Sequence, residues 1–158
     1  MNSTAHFRTA RTLALAVPAL LLGGAYVSEI FFGLYPCEMC WWQRWPHFAA
    51  IVLALLGFVV APHRLWTALA ALAILASGAI GFFHAGVEYD WWPGITSCAA
   101  VFSEGGGSAL DSIMNTPLVR CDEPAWTLFG ISLAGYNFLI STAAGIAILW
   151  LLGKDRNR

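Results

Sequence analysis

The chain is poor in charge. Of its 158 residues only 8 are Lys or Arg and 9 are Asp or Glu, 11% together, where a soluble domain usually carries about 25%. That deficit leaves too few charges to cover the surface of an ordinary water-soluble globule. The high hydrophobic content that accompanies it excludes intrinsic disorder, which needs high charge and low hydrophobicity. No basic run or patch exists and the net charge is −1, so no nucleic-acid partner is expected. Cysteine is scarce as well, with 4 in the chain. Trp41 stands where a haem-attachment motif would place histidine after Cys37-Glu38-Met39-Cys40, which removes c-type haem. No fixed-period repeat is present. What the chain has in quantity is apolar surface: 59% hydrophobic residues, 8 Trp and 10 Phe, with a mean hydropathy of +0.68. This is the composition of an integral membrane protein, and the length suits one domain.

A spanning helix needs roughly 20 mainly apolar residues. Four runs meet or approach that length, about 12–34, 45–61, 65–83 and 126–152. The second and third are separated only by Pro62, His63 and Arg64, a break suited to a helical hairpin. The second run is short, so the stretch from Cys40 to Arg44 is expected to form its interfacial first turn. The sequence therefore predicts an all-α membrane protein, a single four-helix transmembrane bundle over residues 1–158. Arg8 and Arg11, followed by Leu13–Leu22 and small residues, have the look of a secretory signal. The apolar run continues to Leu34, beyond a typical signal core, and is expected to remain as a span.

Basic residues set the orientation. Arg8, Arg11, Arg64, Lys154, Arg156 and Arg158 all fall on one side of four spans, which is the expected cytoplasmic side and holds both termini. The other side carries Arg44, Arg120 and six acids between Glu88 and Glu123. Its long loop, 86–125, contains Gly105-Gly106-Gly107, a loose stretch. Leu110, Ile113 and Met114 then have the spacing of a short amphipathic helix that Pro117 ends. Trp41-Trp42 and Trp91-Trp92 sit at the outer level as an aromatic belt would. Ser77/Gly81 and Ser141/Gly145 are small-xxx-small pairs suited to close helix packing.

All four cysteines, Cys37, Cys40, Cys98 and Cys121, lie on this outer side, which is oxidising in a bacterial cell. Three pairings are open. Cys37 and Cys40 immediately precede a helix, whose N-terminal N–H groups and partial positive charge favour a thiolate. Arg44 follows Cys40 by one turn and adds to that effect, while Glu38 opposes it. Structural zinc favours two close cysteine pairs, whereas Cys98 and Cys121 are far apart in sequence, so no metal is expected. His84 at the outer end of the third span and Arg44 at the mouth of the second are candidates to face one polar ligand. Glu29, within the first span, either snorkels, stays protonated or pairs with Arg44.

With these residues assembled, the chain resembles the disulfide bond formation protein B (DsbB) family of bacterial inner-membrane thiol oxidases. The resemblance rests on Pro36-Cys37-Glu38-Met39-Cys40-Trp41-Trp42-Gln43-Arg44, on His84-Ala85-Gly86-Val87-Glu88, on Val119-Arg120-Cys121-Asp122-Glu123, and on Trp126-Thr127-Leu128-Phe129-Gly130-Ile131-Ser132 with Asn137. It implies a quinone-dependent protein-disulfide oxidoreductase. A Cys98–Cys121 disulfide would accept electrons from a reduced periplasmic thioredoxin-like, DsbA-like oxidase, with Cys98 forming the mixed disulfide. Exchange with Cys37–Cys40 would restore the loop pair. Cys40, as thiolate, would contact a quinone from the membrane pool, ubiquinone or menaquinone, held by Arg44 and His84. Two other readings compete. One is a non-enzymatic membrane scaffold with two structural disulfides. The other is an enzyme of the vitamin K epoxide reductase type, in which the Cys-x-x-Cys motif follows the loop cysteines rather than preceding them as here.

Overall fold

The structure, a computed structural model, describes residues 3–60, 63–96, 99–100 and 118–156. Four helices dominate: α1 (Ser3–Phe32), α2 (Glu38–Val59), α3 (Arg64–Glu88) and α4 (Leu133–Arg156). Two short antiparallel ribbons lie between α3 and α4. In the first, β1 (Ala99–Ala100) pairs with β2 (Leu118–Val119); in the second, β3 (Thr127–Leu128) pairs with β4 (Ile131–Ser132). Cys98, the Gly105–Gly107 run and the amphipathic helix expected around Leu110, Ile113 and Met114 lie outside the described residues.

Each helix begins and ends where local chemistry dictates. Gly33, at φ 66°, stops α1, and the Leu34 N–H turns back to Ser28 O at 3.2 Å. α3 starts on His63, whose Nδ1 accepts from Leu65 N–H at 3.3 Å. Its end is a Schellman motif. Asp90 takes the left-handed conformation at φ 57°, the Trp91 N–H bonds Gly86 O at 2.8 Å and the Asp90 N–H bonds Val87 O at 3.2 Å. α4 starts later than the apolar run suggests. Residues 126–132 were expected as helix, but Phe129 (φ 51°) and Gly130 (φ 75°) make the tight turn between β3 and β4. The Ser132 hydroxyl then caps α4 by accepting from Gly135 N–H at 3.1 Å, so the helix cannot extend upstream. The other helices begin earlier than their expected spans, and α3 also ends later. α1 begins at Ser3 rather than near residue 12, α2 at Glu38, and α3 continues through His84 to Glu88. Pro18 and Pro46 sit inside α1 and α2, which continue through them.

The helices form a four-sided bundle. α3 packs along α2 and α4, and α1 along α4 and α2, with little contact between α1 and α3. The lower core is built from alanines on α1, α2 and α3, with Ile74 of α3 and Ile148, Leu151 and Leu152 of α4. Small residues let α3 and α4 approach closely. A Cβ on Gly145 would stand 2.5 Å from Leu75 Cγ, and one on Gly81 would stand 3.0 Å from Ala134 O. Both expected small-residue pairs thus lie at a tight crossing. Large apolar side chains, among them Phe31, Phe32, Val59 and Trp150, face outward, as lipid-facing positions do. Three helices are long and apolar enough to cross a membrane: Ala5–Phe32, Arg64–Glu88 and Leu133–Lys154. α2 falls short because Gln43, Arg44, Pro46 and His47 dilute its first half.

Candidate redox site

Cys37 is the cap of α2. Its backbone is extended (φ −75°, ψ 177°), and its Sγ accepts from the Cys40 N–H at 3.3 Å, in the place a serine or aspartate oxygen usually fills. The geometry brings the Cys37 thiol to donate to Cys40 Sγ across 3.0 Å. Both are free thiols, as is Cys121. That hydrogen bond to Cys40, together with burial, pushes the Cys37 thiol up to about 12. The same bond from Cys37 outweighs burial at Cys40 and holds it below its ordinary value. The motif is therefore a protonated Cys37 beside a thiolate-prone Cys40, helped by the N-terminal end of α2.

His84, on α3, is buried behind Cys37. Gln43 Nε2 can only donate, so at 2.8 Å it assigns the lone pair to His84 Nδ1. The hydrogen then belongs to Nε2, 3.6 Å from Cys37 Sγ. Glu88 Oε1 is 3.7 Å from the same Nε2, and its other oxygen, Oε2, accepts from the Ser132 hydroxyl. Cys121 enters this group from the segment after β2. One ligand-type atom each from Cys37, His84 and Cys121 lies within 4.8 Å of the others, and burial raises the Cys121 thiol above its ordinary value. Two sulfurs and an imidazole nitrogen are soft donors of the kind zinc takes. The same closeness of Cys37 and Cys121 is what thiol–disulfide exchange requires.

Arg44 faces the other way, toward α1. Its Nη1 bonds Glu29 Oε2 at 2.7 Å, and its guanidinium lies 4.8 Å from the Tyr26 ring and 4.9 Å from the Trp41 ring. Of the three expectations for Glu29, pairing with Arg44 is the one observed. A cavity of about 270 Å³ opens between α1, α2 and α4. Leu20, Leu21, Ala25, Leu34, Leu133 and Ala134 give it an apolar wall, and Cys40, Gln43, Arg44, His47, Tyr136 and Asn137 supply its polar groups.

The expected residues thus separate into two faces of one motif. Cys37, His84 and Cys121 gather on the α3 side; Cys40 and Arg44 face the cavity. His84 does not line the cavity with Arg44, because α3 lies across α2 from it. The sequence reading passed over Gln43, His47 and Asn137 as site residues. The signal was present on α2, where Cys40, Gln43, Arg44 and His47 recur at three- and four-residue spacing within an otherwise apolar helix.

The family model described as disulfide bond formation protein DsbB matches residues 7–151. The chain is 31% identical to disulfide bond formation protein B of an Azoarcus species, covering 96% of this chain and 97% of that one. It is 31% identical to disulfide bond formation protein B 2 of Pseudomonas savastanoi, covering 92% and 93%, and 29% identical to disulfide bond formation protein B of Verminephrobacter eiseniae, covering 93% and 86%. No solved structure gives a significant match. A Cys-x-x-Cys at a helix start, a buried third cysteine beside it and a family match along nearly the whole chain agree: this multi-pass membrane protein belongs to the DsbB family of disulfide bond formation proteins.

Proposed function

We propose that the protein is a thiol oxidase that passes electrons from a periplasmic thioredoxin-like dithiol to a membrane quinone. In this reading α2 is the fourth span, its membrane part beginning near Trp45. The inner membrane of a bacterium then has both termini on its cytoplasmic side and the cysteines on its periplasmic side. The observation that carries the reading is the placing of Cys40. Its sulfur lies beside Cys37, which meets Cys121, and it also lines a cavity that Arg44 shares. A structural brace has no use for such a cavity.

The cavity residues fit a quinone. A neutral ring with two oxygens and an apolar tail needs apolar walls and a few convergent polar groups, and the cavity has both. Arg44, Gln43, His47 and Asn137 would hold the ring. When bound it supplies the two-electron oxidising capacity that no side chain provides. The chain's own residues do the remainder. Cys37 exchanges with Cys121, since its sulfur is the one within reach. Cys37 also keeps the shared proton and so leaves Cys40 nucleophilic. Arg44, already fixed by Glu29 and two aromatic rings, provides a positive charge where negative charge develops.

The test is quinone reduction by the purified protein with a reduced thioredoxin-like protein as donor, wild type beside Cys40→Ser. Turnover in the wild type and its loss to background in Cys40→Ser is expected. Full turnover in Cys40→Ser would overturn the reading.

A further inference from the structure

His47 has one nitrogen too many for its surroundings. Its Nε2 is 2.9 Å from Asn137 Oδ1 and 2.9 Å from Ser77 Oγ. The donors around these atoms are already spent. The Ser141 hydroxyl donates to Asn137 Oδ1 at 2.9 Å, the Ser77 hydroxyl to Gln43 O at 2.8 Å, and Asn137 Nδ2 to Gln43 Oε1 at 2.8 Å. The groups facing Nε2, with Ser141 Oγ as a third at 3.5 Å, are thus all acceptors, which assigns the ring hydrogen to Nε2. The lone pair of the neutral ring is left on Nδ1. Among the described residues, Nδ1 of His47 is one of four buried side-chain nitrogen or oxygen atoms with no partner. It is the only one of the four that belongs to a residue lining the cavity.

The hydrogen bonds also have a single direction. They run from His47 Nε2–H to Asn137, from Asn137 to Gln43, from Gln43 to His84, from His84 to Cys37, and from Cys37 to Cys40. Both ends of this chain, His47 and Cys40, face the same cavity. A bare Nδ1 accepts from a hydroxyl; a protonated one donates to a carbonyl oxygen.

We propose that His47 exchanges a proton through Nδ1 with the oxygen of a quinone-type ligand in this cavity. The proposal rests on the thiol-oxidase reading above. His47 takes up a proton as the ligand's carbonyl oxygen comes to face it. It releases that proton to the oxygen as the Cys37 thiol and the Cys40 thiolate lose two electrons and one proton and join in a disulfide. Both electrons go to the ligand. The Cys37 proton follows them, so the ligand gains two electrons and two protons and His47 is left neutral. The groups around His47 are few. From its own helix Cys40 and Arg44 share the cavity, and α1 gives Glu29, which is held by Arg44. α3 and α4 give Ser77, Ser141 and Asn137, none of them titratable. α4 also gives Tyr136, whose hydroxyl donates to Leu128 O at 3.0 Å, and His84 stands beyond Gln43.

The experiment measures binding rather than turnover. Full-length protein carrying Cys40→Ser, which removes the neighbouring thiolate, is purified in detergent and titrated with decylubiquinone from pH 5.5 to 8.5 by quenching of tryptophan fluorescence. Binding coupled to uptake of one proton makes log Kd rise with pH toward a slope of about one, and adding His47→Gln makes it flat. In ¹⁵N-histidine spectra the His47 Nδ1 resonance should move from a lone-pair to a protonated shift when the ligand is added. Tight binding with a flat pH profile, or an unchanged slope in His47→Gln, would overturn the proposal and leave the thiol-oxidase reading intact. No binding at any pH, with native histidine spectra showing a folded protein, would overturn both.

Discussion

A thiol attacks only when ionised, and the two sulfurs of the motif divide that requirement unequally. Cys37 keeps its proton up to about pH 12, so below that its thiolate fraction is very small, whereas Cys40 ionises below the ordinary thiol range. Iodoacetamide at pH 7 should therefore modify Cys40 well before Cys37 in the reduced protein, read by peptide mass spectrometry; first labelling at Cys37 would contradict the assignment. Arg44→Ala removes a charged donor from the cavity. At about 2 kcal/mol for such a bond, the KM for quinone should rise roughly 10- to 100-fold, and unchanged kinetics across quinone concentrations would remove Arg44 from the site. Cys37, Cys40 and Arg44 were legible because they lie within eight consecutive residues, Cys40 and Arg44 about one helical turn apart. Gln43, His47 and Asn137 acquire meaning only when α2, α3 and α4 are brought together, and no spacing along the chain displays that contact. For His84 the sequence indicated an outer helix end near the cysteines but not which face of the motif it serves.

Among the elements, α3 and α4 carry the tightest packing. At Gly145 a new Cβ meets Leu75 Cγ at 2.5 Å, while at Gly23 it meets nothing within 4 Å. Gly145→Val should therefore destabilise the detergent-solubilised protein by about 1–3 kcal/mol and Gly23→Val far less, compared by thermal unfolding. Equal loss at both sites would mean that helix propensity, not the crossing, sets the cost. Gly86 is a second tight place, because its missing side chain makes room for the Trp92 ring, which would stand 2.0 Å from a Cβ there. Trp92 donates to Phe83 O at 2.9 Å and stacks on the Phe83 ring, so it packs over α3 while Trp91 stays exposed. Helix existence was legible from hydropathy, which registers length and apolarity. Helix ends were not, since hydropathy does not sense caps. The start of α4 is the plainest case: Gly130 and Ser132 are ordinary turn and cap residues, but they sit inside an unbroken apolar run that conceals them.

For the whole molecule, the number of crossings decides the sidedness of everything else. With α2 as a span, N-terminal and C-terminal green fluorescent protein fusions should both fluoresce from the cytoplasm, and alkaline phosphatase fused after Asp90 should be active outside. With only α1, α3 and α4 crossing, the termini would lie on opposite sides and one of the fluorescent fusions would be dark. Charge placement favours the even number, because Arg8, Arg11, Arg64 and Lys154 then share the cytoplasmic face. One local feature has reach at this scale. A divalent sulfur retains its lone pairs after it pairs, so Cys37 can go on capping α2 whether or not it is bonded to another cysteine. The capping bond at the start of α2 thus asks for no change when Cys37 is oxidised. In the proposed oxidase, exchange at Cys37 would then ask movement only of the segment that delivers Cys121, while the first turn of α2 stays wound.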